Sequence, residues 1–161
     1  MRLSTKGRYA VMAMVDLAKH GTGAPISLAE IAERQEISLS YLEQLFARLR
    51  LGGLVKSVRG PGGGYLLAHG PSGTRISDII LAVDEPIRAT RCSPGAPVGC
   101  RGNKSRCLTH DLWEELGNQI HLFLSAVSLA DVVEGRVLGR SGVMPTEPIR
   151  LPLDSTAIAA Q

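Results

Sequence analysis

The sequence predicts a mainly α fold with a small β wing: a winged helix-turn-helix domain followed by a long dimerisation helix. Three observations predict it. Two short amphipathic segments joined by a tight turn occupy residues 27–51, a Gly-rich tip between two β-prone runs follows directly, and an apolar stripe at helical spacing recurs far along the chain. With 161 residues there is room for one domain and an oligomerisation element.

Ser4 is placed to cap a first helix running to about Lys19, with Ala10, Ala13, Met14 and Leu17 on one face. Gly21–Pro25 ends it. Ser27-Leu28-Ala29-Glu30 is a capping box, the Ser and Glu side chains satisfying each other's open backbone N–H groups, and it starts a short helix burying Leu28, Ile31 and Ala32. A third helix begins near Ser38–Ser40, and its inner stripe is Leu42, Leu45, Phe46 and Leu49. Gly52-Gly53 stops it. Leu54–Val58 and Tyr65–Ala68 are strands around the tip Gly60-Pro61-Gly62-Gly63-Gly64, which makes a wing. Gly70–Thr74 is a linker, and Ile76–Val83 a helix with Ile76, Ile79, Ile80 and Val83 inward. From Asp84 to Arg106 apolar periodicity vanishes. Leu112, Leu116, Ile120, Phe123, Leu124 and Val127 then mark one face of a long helix, for which a second copy of itself is the simplest cover. Ser128 caps a last short helix through Glu134. The expected division is a winged domain at 1–83, a ligand loop at 84–107, the dimerisation helix and short terminal helix at 108–138, and a flexible tail at 139–161.

Composition narrows the function classes. Hydrophobic residues make up 44% and charged residues 20%, which supports a packed core and excludes wholesale disorder. Residues 1–75 hold ten Lys and Arg against five Asp and Glu, whereas the remainder holds eight against ten. A basic front half is the electrostatic footprint of a nucleic-acid partner. No apolar run is long enough to span a bilayer and no signal-peptide pattern opens the chain, so the expected location is the cytoplasm. Thiols stay reduced there. Three cysteines within sixteen residues therefore read as ligands or redox groups, not as a disulfide framework. No nucleophile–base pair or substrate-shaped motif points to an enzyme.

On the third helix, Ser40, Gln44 and Ala47 lie opposite the Leu/Phe stripe. Tyr41 and Arg48 flank them on one side, Glu43 and Arg50 on the other. Hydroxyls there, including that of Ser38 at the helix start, suit phosphates and base edges, and Gln44 suits bidentate pairing with adenine. A carboxylate is repelled by phosphate unless cytosine N4 donates to it, so Glu43 is expected to filter against some sequences. A merely solvated helix face is the alternative. Arg59, beside Gly60 at the wing tip, suits the minor groove. The glycines are not a phosphate loop, because no Lys-Ser/Thr follows.

Seven residues separate Cys92 from Cys100, six separate Cys100 from Cys107, and two separate Cys107 from His110. Three thiolates and an imidazole complete a four-ligand set for a tetrahedral metal or a 2Fe–2S cluster. Structural zinc usually uses short Cys-x(2–4)-Cys pairs, which are absent here, and no ferredoxin spacing matches. Redox thiols without a metal remain a reading of the same residues. Arg91, Arg101, Lys104 and Arg106 favour the thiolate forms. His20, His69 and His121 have no cysteine or acidic partner evident in sequence, and Trp113 is read as packing. A rival from another class is a zinc-stabilised module whose basic face binds a protein.

The chain resembles the IscR-type iron–sulfur cluster regulators. The resemblance is carried by Met1-Arg2-Leu3, Lys6-Gly7-Arg8-Tyr9-Ala10-Val11, Ile37 to Phe46, Val58 to Tyr65, Ala82-Val83-Asp84-Glu85 and Cys107-Leu108-Thr109-His110, over roughly residues 1–135. It implies a homodimer on double-stranded operator DNA, and a 2Fe–2S cluster held by three Cys and one His that alters operator choice. It also implies control of cluster-biogenesis genes, with cluster-assembly proteins as donors. Ser40, Tyr41, Gln44 and Arg59 would contact DNA, and Glu43 would discriminate among operators. The inter-cysteine loops are somewhat longer than the family's usual ones. A related nitric-oxide-sensing branch often lacks the His ligand, so His110 favours the first branch.

Overall fold

The protein is described by a computed structural model covering residues 4–87, 99–101 and 105–137. Cys92 and the tail after Gly139 lie outside the described residues. The elements run α1 (Thr5–His20), α2 (Leu28–Gln35), α3 (Leu39–Leu51), β1 (Val55–Val58), β2 (Gly64–Leu67), α4 (Gly70–Gly73), α5 (Ile76–Ala82), α6 (His110–Ala126) and α7 (Leu129–Val133). Among the described residues no helix is long and apolar enough to cross a membrane.

Local chemistry sets the helix starts. Ser4 Oγ accepts from Gly7 N at the head of α1. Ser27 and Glu30 form the complete reciprocal box at α2, with Ser27 N donating to Glu30 Oε2 at 2.9 Å and Glu30 N to Ser27 Oγ at 3.3 Å. Ser128 and Asp131 repeat that box at α7, both residues buried. The expected linker at 70–74 is instead largely the single turn α4, which Pro71 opens.

One core unites the described helices and the wing. The inner faces of α1 (Ala10, Ala13, Met14, Leu17), α3 (Leu42, Leu45, Phe46, Leu49) and α5 (Ile76, Ile79, Ile80) are buried together with Ile31 of α2 and Val55 of β1. Each such large side chain contributes about 1.5–3 kcal/mol relative to an exposed one. β1 and β2 pair antiparallel with Val55 opposite Leu67 and Val58 opposite Gly64. A third short edge, absent from the sequence reading, joins them. Ile26 N donates to Tyr65 O at 3.0 Å and Tyr65 N to Ile26 O at 2.8 Å. Gly64 permits this approach, because a Cβ there would lie 2.3 Å from the Ile26 carbonyl oxygen.

The segment after α6 packs onto the helices of the winged domain. Val127 is only 2% exposed and belongs to the winged-domain core, as does Leu129. Ile76 N donates to Val127 O and Leu129 N to Thr74 O, both at 3.0 Å, so residues 127–129 zip onto the segment before α5. Val127 is thus taken up by its own chain rather than by the expected dimerisation stripe, and Leu124 packs partly against the same core. Helical periodicity could not separate the two fates, because it records burial and not what does the burying.

Candidate nucleic-acid interface and metal centre

The orientation of the helix-turn-helix begins at a buried carboxylate. Asp16 of α1 accepts Arg34 Nη2 at 2.7 Å, Arg34 Nε at 3.1 Å and Gln35 Nε2 at 2.7 Å, tying α1 to the end of α2. Burial pushes its pKa up, but the hydrogen bonds from Arg34 and Gln35 and the Arg34 charge outweigh that and hold it below the ordinary carboxylate range. His20 Nδ1 lies 3.5 Å from Asp16 Oδ1, so the acidic partner missing from the sequence reading sits one turn earlier on the same helix. A lone Asp within the apolar stripe of α1 was the available signal for this cluster.

α3 turns its Leu/Phe stripe inward and leaves Ser38, Ser40, Glu43, Gln44, Ala47 and Arg48 exposed on the outside, with Tyr41 half-buried. The Tyr41 ring meets Tyr9 edge-on at 6.1 Å. Phe46 packs against Tyr65 of the wing at 4.8 Å, so helix and wing form one braced surface. Arg59 and Gly60 are exposed at the wing tip, where Gly63 N donates to Gly60 O at 2.9 Å. Arg48 departs from simple availability, since its guanidinium is ion-paired with Asp84, just beyond the end of α5. Glu85, the next residue, accepts from the backbone N–H and hydroxyl of Ser4 at the head of α1.

The ligand atoms of Cys100, Cys107 and His110 all lie within 4.8 Å of one another. A tetrahedron with bonds of ~2.0–2.3 Å has edges of roughly 3.3–3.8 Å, so small side-chain rotations bring the three to bonding positions. Two local features assemble them. Arg101 N donates to Ser105 O at 3.1 Å, drawing the Cys100 segment onto the residues before Cys107. Gly99 allows the approach, since a Cβ there would fall 2.1 Å from the Ser105 carbonyl carbon. His110, the first residue of α6, is 2% exposed, and neither ring nitrogen has a hydrogen-bond partner among the described residues. Glu114 Oε2 stands 3.4 Å from Nε2, without hydrogen-bond geometry. A buried imidazole without a hydrogen bond is costly, and a metal on one nitrogen would relieve that cost. Two sulfurs and one such imidazole fit a zinc ion or an iron–sulfur cluster. Of the four expected cations, Arg106 pairs with Asp111 at 3.5 Å and Arg101 is exposed. Arg91 and Lys104 lie outside the described residues.

On α6, Leu112 is 60% and Phe123 39% exposed, and Leu116 and Ile120 are half-buried. Leu124 is half-buried as well, so five of the six expected stripe residues are left at least partly uncovered.

An exposed helix braced against a Gly-rich wing defines a winged-helix regulator of transcription. The chain belongs to the Rrf2 family, whose profile, described as an iron-dependent transcriptional regulator, matches residues 3–135. It is 53% identical over 153 residues to the HTH-type transcriptional regulator IscR of Photorhabdus laumondii subsp. laumondii, covering 94% of this chain and 92% of that one. Against the IscR of Yersinia pseudotuberculosis serotype O:1b identity is 55% over 136 residues, or 84% and 81% of the two chains. Among solved structures, IscR of T. potens superposes with a TM-score of 0.67 at 38% identity, over 91% of this chain and 94% of that one. CymR, the global cysteine regulator of B. subtilis, gives 0.70 at 35% identity, over 84% and 98%. These relatives are transcription regulators, not enzymes, and membership of their family implies DNA binding.

Proposed function

We propose that this regulator senses iron–sulfur cluster status, binding operator DNA as a homodimer in the cytoplasm and controlling cluster-biogenesis genes. Cys92, Cys100, Cys107 and His110 would hold a 2Fe–2S cluster delivered by cluster-assembly proteins. The observation that carries the reading is the convergence of two sulfurs and a buried imidazole within 4.8 Å, on a chain whose α3 and wing present a recognition surface. A bound cluster supplies a redox-active group whose presence depends on iron and oxidants.

The chain's own residues give that site a route to the DNA face. Asp84 and Glu85 directly precede the segment that leads to the ligands. Asp84 holds Arg48 of α3, and Glu85 holds Ser4 of α1. Any change in how the ligand segment is held therefore bears on a recognition-helix arginine and on the start of α1. Ser38, Ser40, Tyr41 and Gln44 would contact DNA, with Arg59 and Gly60 at the adjacent groove and Glu43 filtering sequences. Leu112, Leu116, Ile120 and Phe123 would meet their counterparts in the dimer, setting half-sites about one helical turn apart.

The test is the visible spectrum of protein purified without oxygen, with iron, sulfide and zinc assayed on the same sample. Equal iron and sulfide, lost in Cys92→Ala and His110→Ala, is the expected result. Stoichiometric zinc in a colourless protein would replace sensing by a structural metal. Apo and holo dimers should also differ in operator preference at one fixed salt concentration.

A further inference from the structure

Thr109 occupies the N-cap of α6 and does not cap it. A threonine there ordinarily accepts from the N–H of the second or third helical residue, worth about 1 kcal/mol, yet this side chain makes no such bond. Its Oγ1 instead accepts from Trp113 Nε1 at 3.0 Å and stands 3.8 Å from Cys107 Sγ. Proton inventory settles the direction of the second contact. An indole N–H can only donate, so Thr109 is the acceptor in that pair and keeps its single hydroxyl proton for another partner. A cysteine that ligates a metal is a thiolate and can only accept. With Cys107 as a ligand, the bond to it runs from the Thr109 hydroxyl to sulfur.

We infer that Thr109, aimed by Trp113, is a positioning residue that donates a hydrogen bond to the ligand sulfur of Cys107, strengthening metal binding and raising the reduction potential of a bound cluster. The inference rests on the proposal that Cys107 is a ligand. A donor to a ligating sulfur draws electron density from it and favours the more negatively charged, reduced state. The spacing Cys107-x-Thr109-His110-x-x-Trp113 places two ligands and their support at one helix start. Trp113 is the chain's one tryptophan, so its fluorescence reports on this site.

The test titrates Co2+ into the reduced apo-protein, following the sulfur-to-cobalt charge-transfer band and Trp113 fluorescence, and measures the midpoint potential of the cluster-loaded dimer. Thr109→Val should bind cobalt about tenfold more weakly, shift the band to longer wavelength and lower the potential. Its apo stability should fall only slightly, because no cap bond is lost and the bond lost to Trp113 is exposed. Thr109→Ser should restore all three readings, and Trp113→Phe should fall between. Unchanged readings in Thr109→Val overturn the inference, as does equal loss in Thr109→Ser, which would mean packing instead of hydrogen bonding. Should Thr109→Val not fold, Trp113→Phe decides, and a wild-type band and potential there overturn it. Wild-type protein that takes up neither cobalt nor cluster sinks the ligand reading as well, whereas normal uptake with an indifferent Thr109→Val sinks this inference alone.

Discussion

Replacing Asp16 by alanine should cost this protein about 2–3 kcal/mol, and the ionic part of that cost should be lost in acid. The carboxylate is fully buried while Arg34 is 31% exposed. Breaking a fully buried ion pair costs about 3–5 kcal/mol, because the surviving charge is stranded. Here the surviving guanidinium can turn to water, which brings the loss down towards the ~1.5–3 kcal/mol of a charge-assisted hydrogen bond. The orphaned Gln35 amide and a small cavity add to it. The expected fall in Tm is roughly 10 °C. The sign of the pH effect follows from the depressed pKa. Asp16 contributes fully above its unfolded value of 3.8, and the contribution is lost as pH falls through the lower folded value. Urea unfolding followed by circular dichroism, at pH 7 and in steps down through 3.8, measures the gap between wild type and variant. A gap under about 0.5 kcal/mol at neutral pH, or one that persists unchanged in acid, would refute the reasoning.

Gly64→Ala should break the Ile26–Tyr65 bridge and cost roughly 2 kcal/mol or more, visible in thermal melts; unaltered stability would mean the third edge is dispensable. Arg59→Ala should weaken operator binding by about 1–3 kcal/mol if the guanidinium reads a groove, and equal affinity for every duplex tried would remove the wing from the interface. Glu43→Ala should broaden the set of bound sequences in a selection from randomised duplexes, and unchanged selectivity would end the filtering role. Asp84→Asn keeps a residue tolerant of the positive φ of 55° at that position while releasing Arg48. Non-specific affinity and its salt slope should then both rise, the slope by about one unit, and a flat response would show that Arg48 does not reach phosphate.

Much of the architecture was legible because it is written in local chemistry. The capping box at Ser27, the cap at Ser128, the inner stripe of α3, the Gly-rich wing tip and the exposed face from Ser38 to Arg48 depend on neighbours within a turn or two. The same holds for the Cys107–His110 pair, whose spacing puts two groups able to bind a metal at one helix start. Contacts between distant segments were not legible. Periodicity marked Val127 as buried, but only the zipper to Ile76 showed that its own chain buries it. Nothing near Ile26 in sequence announces Tyr65, Asp84 does not announce Arg48, and no sequence signal placed Trp113 and Cys107 around the Thr109 hydroxyl. Sequence alone determined most of the elements, α4 and the Ile26 edge excepted, and which residue types they present, since those follow from backbone propensities and side-chain periodicity. The tertiary structure decided which partner each buried or charged group meets. That pairing is a choice among long-range alternatives of similar local energy, resolved only when the whole core packs at once.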